Sequence, residues 1–318
     1  MAKLYVCGEA LIDFVPCQAD DGTSAFRPKT GGSPYNAARA ARLAGADVSF
    51  VGALSTDMFG EQLEADLVEA GVDCSSALKS DDPTTLAFVD ISTGSPRYAF
   101  FNNGTATRNT APPADLISPD PLDILDVGSI SLIDEPGADN IAAYCESMVG
   151  KMRIAIDPNA RPEMTTDKVS WQARIESILT VATIIKISDE DLDYMYPGLS
   201  AEDFASRCLS TTTELVIVTL GGEGARAFTK SGNARVAPPK IDVADTVGAG
   251  DALMGAMLAW LLETCGDAAR PISSLDDRDL ENLLQFSATG AAINCTRVGA
   301  APPTKAEIQD WISNSISG

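Results

Sequence analysis

An α/β fold with a mainly parallel central sheet and a small β-rich lid is predicted by three features of the 318-residue sequence. Short apolar runs alternate with helical stretches along most of the chain, the order that successive strand–helix–strand units of a parallel sheet produce. Two β-rich runs, residues 84–90 and 97–101, interrupt that order and flank a turn at 92–96, giving a hairpin. Residues 14–32 hold Pro16, Gly22, Pro28 and the Gly31-Gly32 pair between short extended pieces, which suits a small separate sheet. The expected division is therefore 1–13, 33–82 and 104–318 in an α/β body, and 14–32 and 83–103 in a lid. A hydrophobic content of 45% leaves ample material for a large core.

Residues 4–7 form an apolar run ended by Gly8, which predicts a strand buried on both faces. Asp13 follows closely. Ligands of open parallel sheets bind beyond the carboxyl ends of strands, so Asp13 is either a turn-capping acid or a ligand group. Ser33 offers an N-cap and Pro34 suits a first helical position, ahead of an alanine-rich helix over 35–43. Asn36, in its first turn, is placed either for local hydrogen bonding or, beside two glycines, for a ligand hydroxyl. A strand over 48–54 and a helix over 58–70, stopped by Gly71, come next. In the hairpin, Tyr98, Phe100 and Phe101 either fill the lid core or cover a ligand.

Strands recur at 124–127, 153–156, 183–187 and 215–219, and polar groups gather where they end. Asp157, Asn159 and Arg161 stand in DPNARP, and Lys186 precedes the cluster SDED that starts at Ser188 and ends at Asp191. Thr219 leads into LGGEGA, whose Gly221, Gly222 and Gly224 read on their own as a tight turn into 225–229 rather than a phosphate cradle. Residues 280–295 form an apolar helix that runs into TRVGAAPP.

Between these lies DTVGAGDALMGAMLAWLL, residues 245–262, around which the other candidates arrange themselves. Gly248 and Gly250 allow a tight turn with bare N–H groups, at the point where a new helix has no carbonyls for its first donors. That makes an anion site. Met254, Met257, Leu258 and Leu261 keep helical spacing with almost no polar face, so the helix is expected to be buried and only its N-terminus can meet a ligand. Asp251 in that first turn has two readings. It complements the helix dipole, worth about 0.3–1 kcal/mol, or it accepts the proton of a hydroxyl attacking a phosphoryl group whose charge the N–H groups neutralise.

Composition excludes several classes. Forty-five acidic against 23 basic side chains give a net charge of -22, which repels nucleic acid and anionic membranes. An anionic substrate must then arrive with a divalent cation or find a local positive pocket. With no histidine, Ser-His-Asp and Cys-His catalysis and histidine zinc sites are excluded, and acid–base work falls to carboxylates, lysine or tyrosine. Seven scattered cysteines without C-x-x-C spacing suit reduced core residues of a cytoplasmic protein. No apolar run approaches the roughly 20 residues of a membrane helix, and Glu9 and Asp13 come too early for a signal peptide.

GGSPYNAARAARLAGADVSFVGALSTDMFG and DTVGAGDALMGAMLAWL resemble the two signature stretches of the ribokinase-like (PfkB) sugar kinases. GEALIDF, DPNARP, KISDED, TLGGEGA and CTRVGAAPP fall in the order that family shows, and GEALIDF with DPNARP is most similar to fructokinases. The resemblance implies a three-layer α/β sandwich with a β-rich lid, and ATP-dependent phosphorylation of a sugar's primary alcohol, D-fructose to fructose 6-phosphate in the branch it most resembles. By the same resemblance Asp251 would be the base, and Gly248, Ala249 and Gly250 the anion hole. Asp13, Gly31, Gly32, Asn36, Phe101 and Arg161 would bind the sugar or lie near the phosphates. Lys186, Thr219, Gly221, Gly222 and Gly224 would line the nucleotide. Asp245 and Val247 would hold a monovalent cation such as K+, Asp191 would hold Mg2+ through water, and a second copy could dock through the lid.

Two positions depart from the family pattern. Its N-x-x-E segment is Ser188 to Asp191 here, shorter in both end residues, and Ala288 stands where relatives carry Asn or His beside the adenine. Within the family the alternative is 2-keto-3-deoxygluconate kinase, disfavoured because Asn102 stands where keto-acid kinases carry an arginine for the substrate carboxylate. Outside it, a catalytically idle sugar-binding regulator would be expected to lose Asp251. A nicotinamide oxidoreductase would need a G-x-G-x-x-G after the first strand.

Overall fold

Buried strands at the centre of the chain explain why it forms three layers, since a sheet apolar on both faces must be covered on both. The computed structural model describes residues 2–90 and 97–316, so the turn expected at 92–96 lies outside the described residues. The chain opens with β1 (Leu4–Cys7), β2 (Leu11–Gln18) and β3 (Ser24–Gly31). Helix α1 (Ser33–Leu43), β4 (Val48–Phe50), β5 (Ala53–Ser55) and α2 (Met58–Glu69) follow. Next come β6 (Leu78–Ser80), β7 (Thr85–Asp90) and β8 (Arg97–Phe101). The alternation resumes with β9 (Ile124–Gly128), α3 (Gly137–Met148), β10 (Arg153–Asp157) and α4 (Lys168–Val181). It continues through β11 (Ile184–Ser188), α5 (Asp189–Met195), α6 (Ala201–Leu209) and β12 (Leu215–Thr219). The hairpin β13 (Ala225–Phe228) and β14 (Asn233–Val236) precedes α7 (Ala249–Cys265), α8 (Asp277–Cys295) and α9 (Lys305–Ile316).

The main sheet runs β14-β13-β12-β11-β10-β9-β1-β4 and is parallel except at the β12–β13–β14 edge. One core, with Tyr35, Phe50, Met254, Met257 and Leu258, packs α1, α7 and α8 on one face. The other, with Ile141, Trp171 and Ile175, packs α3 and α4 on the opposite face. Met254, Met257 and Leu258 are each at most 1% exposed. Trimming any one to alanine would cost about 2–5 kcal/mol, so α7 is fixed to the body. Gly255 lets α7 lie directly on α1, because a Cβ there would sit 2.6 Å from the Ala37 carbonyl oxygen and the Ala40 side chain. That close approach brings the start of α7 against the start of α1.

A second sheet runs β3-β2-β7-β8, with Asp13 opposite Lys29 on one side and Ala87 on the other, and Ala87 opposite Phe100. Two expectations need correction. Strand β2 begins at Leu11, so residues 11–13, expected in the body, belong to this smaller sheet. The single strand expected over 48–54 is two, β4 in the main sheet and β5 paired with β6, because the chain turns at Gly52 past the Gly8 carbonyl. A Cβ on Gly52 would lie 2.4 Å from that oxygen.

Side-chain alternation gives the small sheet two distinct faces. Asp13, Ala87, Tyr98 and Phe100 share one, and Leu11, Ala87 and Phe100 pack there against Ile130, Ile133 and Met164 of the body. Phe14, Phe26, Phe88 and Phe101 share the other, with ring centroids 4.6 Å apart for Phe14–Phe88 and 5.5 Å for Phe88–Phe101. All seven cysteines are unpaired. No helix among the described residues is long and apolar enough to cross a membrane.

Candidate active site

The start of α7 has the form expected of an anion site. Gly248 is its N-cap in a left-handed conformation (φ 73°), and no side chain caps the helix. A Cβ at Gly248 would also lie 2.7 Å from the Ala300 side chain. The Ala249 N–H turns back to the Thr246 carbonyl at 3.2 Å. The N–H groups of Gly250 and Asp251 belong to the turn whose donors have no helical acceptor, and the dipole adds positive potential there. Gly250 is itself helical, so the tight turn needs only Gly248.

Asp251 is buried, and both its oxygens are held by α1: Ser33 Oγ donates to Oδ1 at 2.7 Å and Asn36 Nδ2 to Oδ2 at 2.9 Å. Ser33 is therefore not the cap of α1; Gly32 occupies that position with φ 109°, and a Cβ on it would lie 2.7 Å from the Glu9 carbonyl oxygen. Burial pushes the Asp251 carboxyl above the usual carboxylate range, and the Asp157 charge adds to this. The Ser33 and Asn36 hydrogen bonds and the Lys186 charge oppose it. Asp13 is pushed up to about 6 by burial first and then by Asp251. A Cβ on Gly31 would lie 2.5 Å from Asp13 Oδ2, so both glycines of the pair make room for acids. Asn36 Oδ1 is buried and without a hydrogen-bond partner, an acceptor facing no protein donor.

Beneath the α7 N-terminus Lys186 pairs with Asp157 at 2.6 Å, both nearly fully buried. A Cβ on Gly250 would be 3.4 Å from Lys186 Nζ, so the ammonium sits directly behind the helix start. Asp157 Oδ1 has no partner. Asp191 accepts the Ala160 N–H at 3.0 Å, and Ser188 Oγ caps α5 by accepting the Asp191 N–H at 3.0 Å. Burial and Asp157 raise the Asp191 carboxyl. Asp126 of β9, which sequence reasoning missed, is buried and held well above the ordinary range by burial and then Asp157. Its signal was an acid inside the apolar run ILDVG. Among the described residues no group of three or more His, Cys, Asp or Glu has metal-holding geometry. The donor set is instead separate carboxylates, which suits a hard cation that keeps its own waters.

A cavity of about 860 Å³ opens beside this cluster, with Thr219, Gly221, Gly222 and Gly224 at one wall, Ala249 and Gly250 at its end, and Ala288 opposite. The glycines of 221–224 thus serve as a tight turn, with Gly224 at φ 95° and its α-hydrogen face against the Val236 carbonyl, and as cavity wall. The segment Pro238, Pro239, Lys240, Ile241 completes the wall and was not singled out from sequence. Lys186, expected along this wall, lies behind it instead.

Other candidates sit differently. Arg161 is exposed, and its guanidinium folds back on Asn159, at 2.6 Å from the side-chain oxygen and 3.1 Å from the carbonyl. Asp245 stitches two loops together, accepting the Val247 N–H at 3.0 Å and the Gly299 N–H at 2.8 Å, while the Val247 carbonyl accepts Asn294 Nδ2 at 2.8 Å. The Asp245 carboxylate is thus already committed within the protein. Phe101 is corrected: it is 60% exposed on the face opposite Asp13, and Tyr98 and Phe100 are the aromatics on the Asp13 side. Asn102 is buried, donating to Asp134 at 3.0 Å and accepting from Thr85 and Thr105 at 3.1 Å.

The sequence pattern of the pfkB family carbohydrate kinases matches residues 1–307. A fructokinase of Rhizobium leguminosarum bv. trifolii is 37% identical over 281 residues, covering 88% of this chain and 86% of the relative. The probable fructokinase-4 of Arabidopsis thaliana is 33% identical, covering 97% and 96%. Among solved structures, the fructokinase of Xylella fastidiosa with bound ATP superposes with a TM-score of 0.89 at 27% identity, over 99% of each chain. The fructokinase of Vibrio cholerae with fructose, ADP and calcium bound gives 0.81 at 25% identity, over 98% of each. With a pattern that spans nearly its whole length and relatives above 30% identity across most of it, the chain belongs to the pfkB family of carbohydrate kinases.

Proposed function

We propose that this chain transfers the γ-phosphoryl group of ATP to the primary alcohol of D-fructose, giving fructose 6-phosphate and ADP. The observation that carries the chemistry is the buried Asp251 carboxylate at the uncapped start of α7, where a cavity large enough for a nucleotide ends at Ala249 and Gly250. The triphosphate would end against the N–H groups of Gly250 and Asp251, with the Lys186 ammonium behind them. The sugar alcohol oxygen bonds to the γ-phosphorus as the bond from that phosphorus to the bridging oxygen of ADP breaks, and the alcohol proton passes to Asp251. Asp13 and the unpartnered Asn36 Oδ1 would accept sugar hydroxyl hydrogens. Mg2+ would be held through water by Asp191 and the free oxygen of Asp157, and would screen the triphosphate charge. A monovalent cation such as K+ would use backbone carbonyls of the 245–247 loop, since the Asp245 carboxylate is engaged. Seven unpaired cysteines fit a cytoplasmic setting.

Fructose is favoured over 2-keto-3-deoxygluconate because two arginines that could meet a substrate carboxylate, Arg108 and Arg161, are engaged elsewhere. Arg108 pairs with Asn103 at 2.6 Å and Asp134 at 3.6 Å, and Arg161 closes on Asn159. An acid brought into the site would lack, from these two arginines, a charge-assisted bond worth about 1.5–3 kcal/mol. ADP release should therefore give kcat/KM for fructose at least about tenfold above that for the keto acid. Equal or better use of the acid would overturn the fructose assignment, and no turnover with any of fructose, ribose, glucose or adenosine would point to an idle sugar-binding regulator. Because Asn102 ties Thr85, Thr105 and Asp134 together, Asn102→Arg is a poor probe of this choice.

We read residues 14–32 and 83–103, with the start of β2, as a lid that closes over the sugar through Tyr98 and Phe100. Water must be kept from the γ-phosphate, so fructose should slow hydrogen exchange in β7 and β8. Unchanged exchange at saturating sugar would mean the small sheet is a fixed surface. Its outer aromatic face, where Phe26 is 50% and Phe101 60% exposed, is the surface on which a second copy would dock. A Phe26→Glu, Phe101→Glu variant that sediments like the unmodified chain would remove that role.

A further inference from the structure

Ser33 stands where its own helix does not need it. The cap of α1 is Gly32, and the Ser33 hydroxyl reaches out of the helix to Asp251 Oδ1 at 2.7 Å. Its main-chain N–H donates to Glu9 Oε1 at 3.1 Å, and Glu9 Oε2 accepts the Ser131 N–H at 3.2 Å. Glu9 is 1% exposed, so this carboxylate is an interior strut joining α1 to the turn after β9. The backbone around Ser33 is confined from both sides. A Cβ on Gly8 would meet the Pro34 ring at 2.3 Å, and one on Gly32 would meet the Glu9 carbonyl oxygen at 2.7 Å. Such confinement is more than a surface serine requires, and it fixes where the Ser33 hydroxyl points.

We propose that Ser33, held by Glu9, is a positioning residue for the base: its hydroxyl keeps the Asp251 carboxylate ionised and turned toward the sugar alcohol. This rests on the assignment of Asp251 as the base. The carboxylate is hydrogen-bonded by Ser33 and Asn36 from α1, and the charged groups that act on it or feel it through space are Asp13 from β2, Asp126 from β9, Asp157 from β10 and Lys186 from β11. Burial, and after it the Asp157 charge, favour the neutral form, which cannot accept a proton. Against them stand one ammonium and two hydrogen bonds, one on each carboxylate oxygen. Each oxygen then keeps a lone pair for the substrate, and the pair of bonds prevents the carboxylate from rotating about its Cβ–Cγ bond.

The test is the pH profile of kcat. Ser33→Ala removes a donor to the charged form, so the acidic limb should move up by about one pH unit. Ser33→Thr, which keeps the hydroxyl, should bring it back. A uniform fall in kcat with the limb unmoved would be a packing effect and would overturn the proposal. Should Ser33→Ala not fold, Ser33→Cys keeps the shape with a weaker donor, and a limb unmoved in that variant counts equally against it. The carboxyl carbon resonance of Asp251, identified by its loss in Asp251→Asn, can be titrated by NMR with and without the Ser33 hydroxyl. A shifted titration without kinase activity would retain the Ser33 contact and reject the kinase assignment. An unshifted titration in an active enzyme would do the reverse.

Discussion

Asp251→Ala is expected to lower kcat by about 100-fold or more, with the affinity for fructose changed little. The sugar alcohol must lose a proton as it bonds to phosphorus, and Asp251 is the carboxylate at the helix start where the γ-phosphate would rest. The transition state is mainly stabilised by positioning and charge, so the variant should keep the activity that the α7 N–H groups and Lys186 supply. The sugar would still be held by Asp13 and Asn36, which is why KM is expected to stay close. Burial raises the carboxyls of both Asp251 and Asp13, the latter to about 6. Turnover in the unmodified enzyme should then fall as pH drops through these raised values, at higher pH than an exposed carboxylate would give. Steady-state kinetics with a folded Asp251→Ala protein decide the matter, and near-normal turnover would remove Asp251 from the role.

The second large effect is on stability. Lys186→Met should lower the unfolding free energy by about 3–5 kcal/mol. The Lys186–Asp157 pair is 2.6 Å long, with side chains 5% and 7% exposed, so little solvent screens it. Removing the ammonium leaves Asp157 buried without its partner, beside Asp126 and Asp191, whose carboxyls burial already pushes toward the neutral form. Adding Asp157→Leu should restore much of the loss, because an apolar pair can replace a buried ion pair at small net cost. Urea denaturation of the single and double variants tests this: equal destabilisation in both would mean that the lysine contributes packing and not charge. ATP binding should weaken in both, since the positive charge behind the α7 start is gone either way.

Some of this was legible in the sequence because it depends on neighbours along the chain. The helix after residue 248 was, since glycines, an acid and an unbroken apolar run lie side by side in DTVGAGDALMGAMLAWLL. The alternation of strands and helices was legible for the same reason. Ser33 was misread as a cap because local rules cannot see Asp251, 218 positions away. Phe101 was preferred over Phe100 because the side of a pleat is set by register against β7, which a sequence does not state. Asp126 was missed and Lys186 was placed along the nucleotide because a sequence does not state which charges neighbouring strands bring together in the interior, where both lie. The wall at 237–241 has no signal of its own, since it acts only by facing α8 across the cavity.

The placement of Asp13 has an economic consequence for the cell. Asp13 lies in β2, a strand of the small sheet, whereas Asp251 is anchored to the large one through α7. On the proposed reading, the group that would grip the sugar and the group that would take its proton are mounted on different parts, like the halves of a two-part lock. If the small sheet closes as proposed, use of ATP would be tied to a sugar that both parts can hold at once.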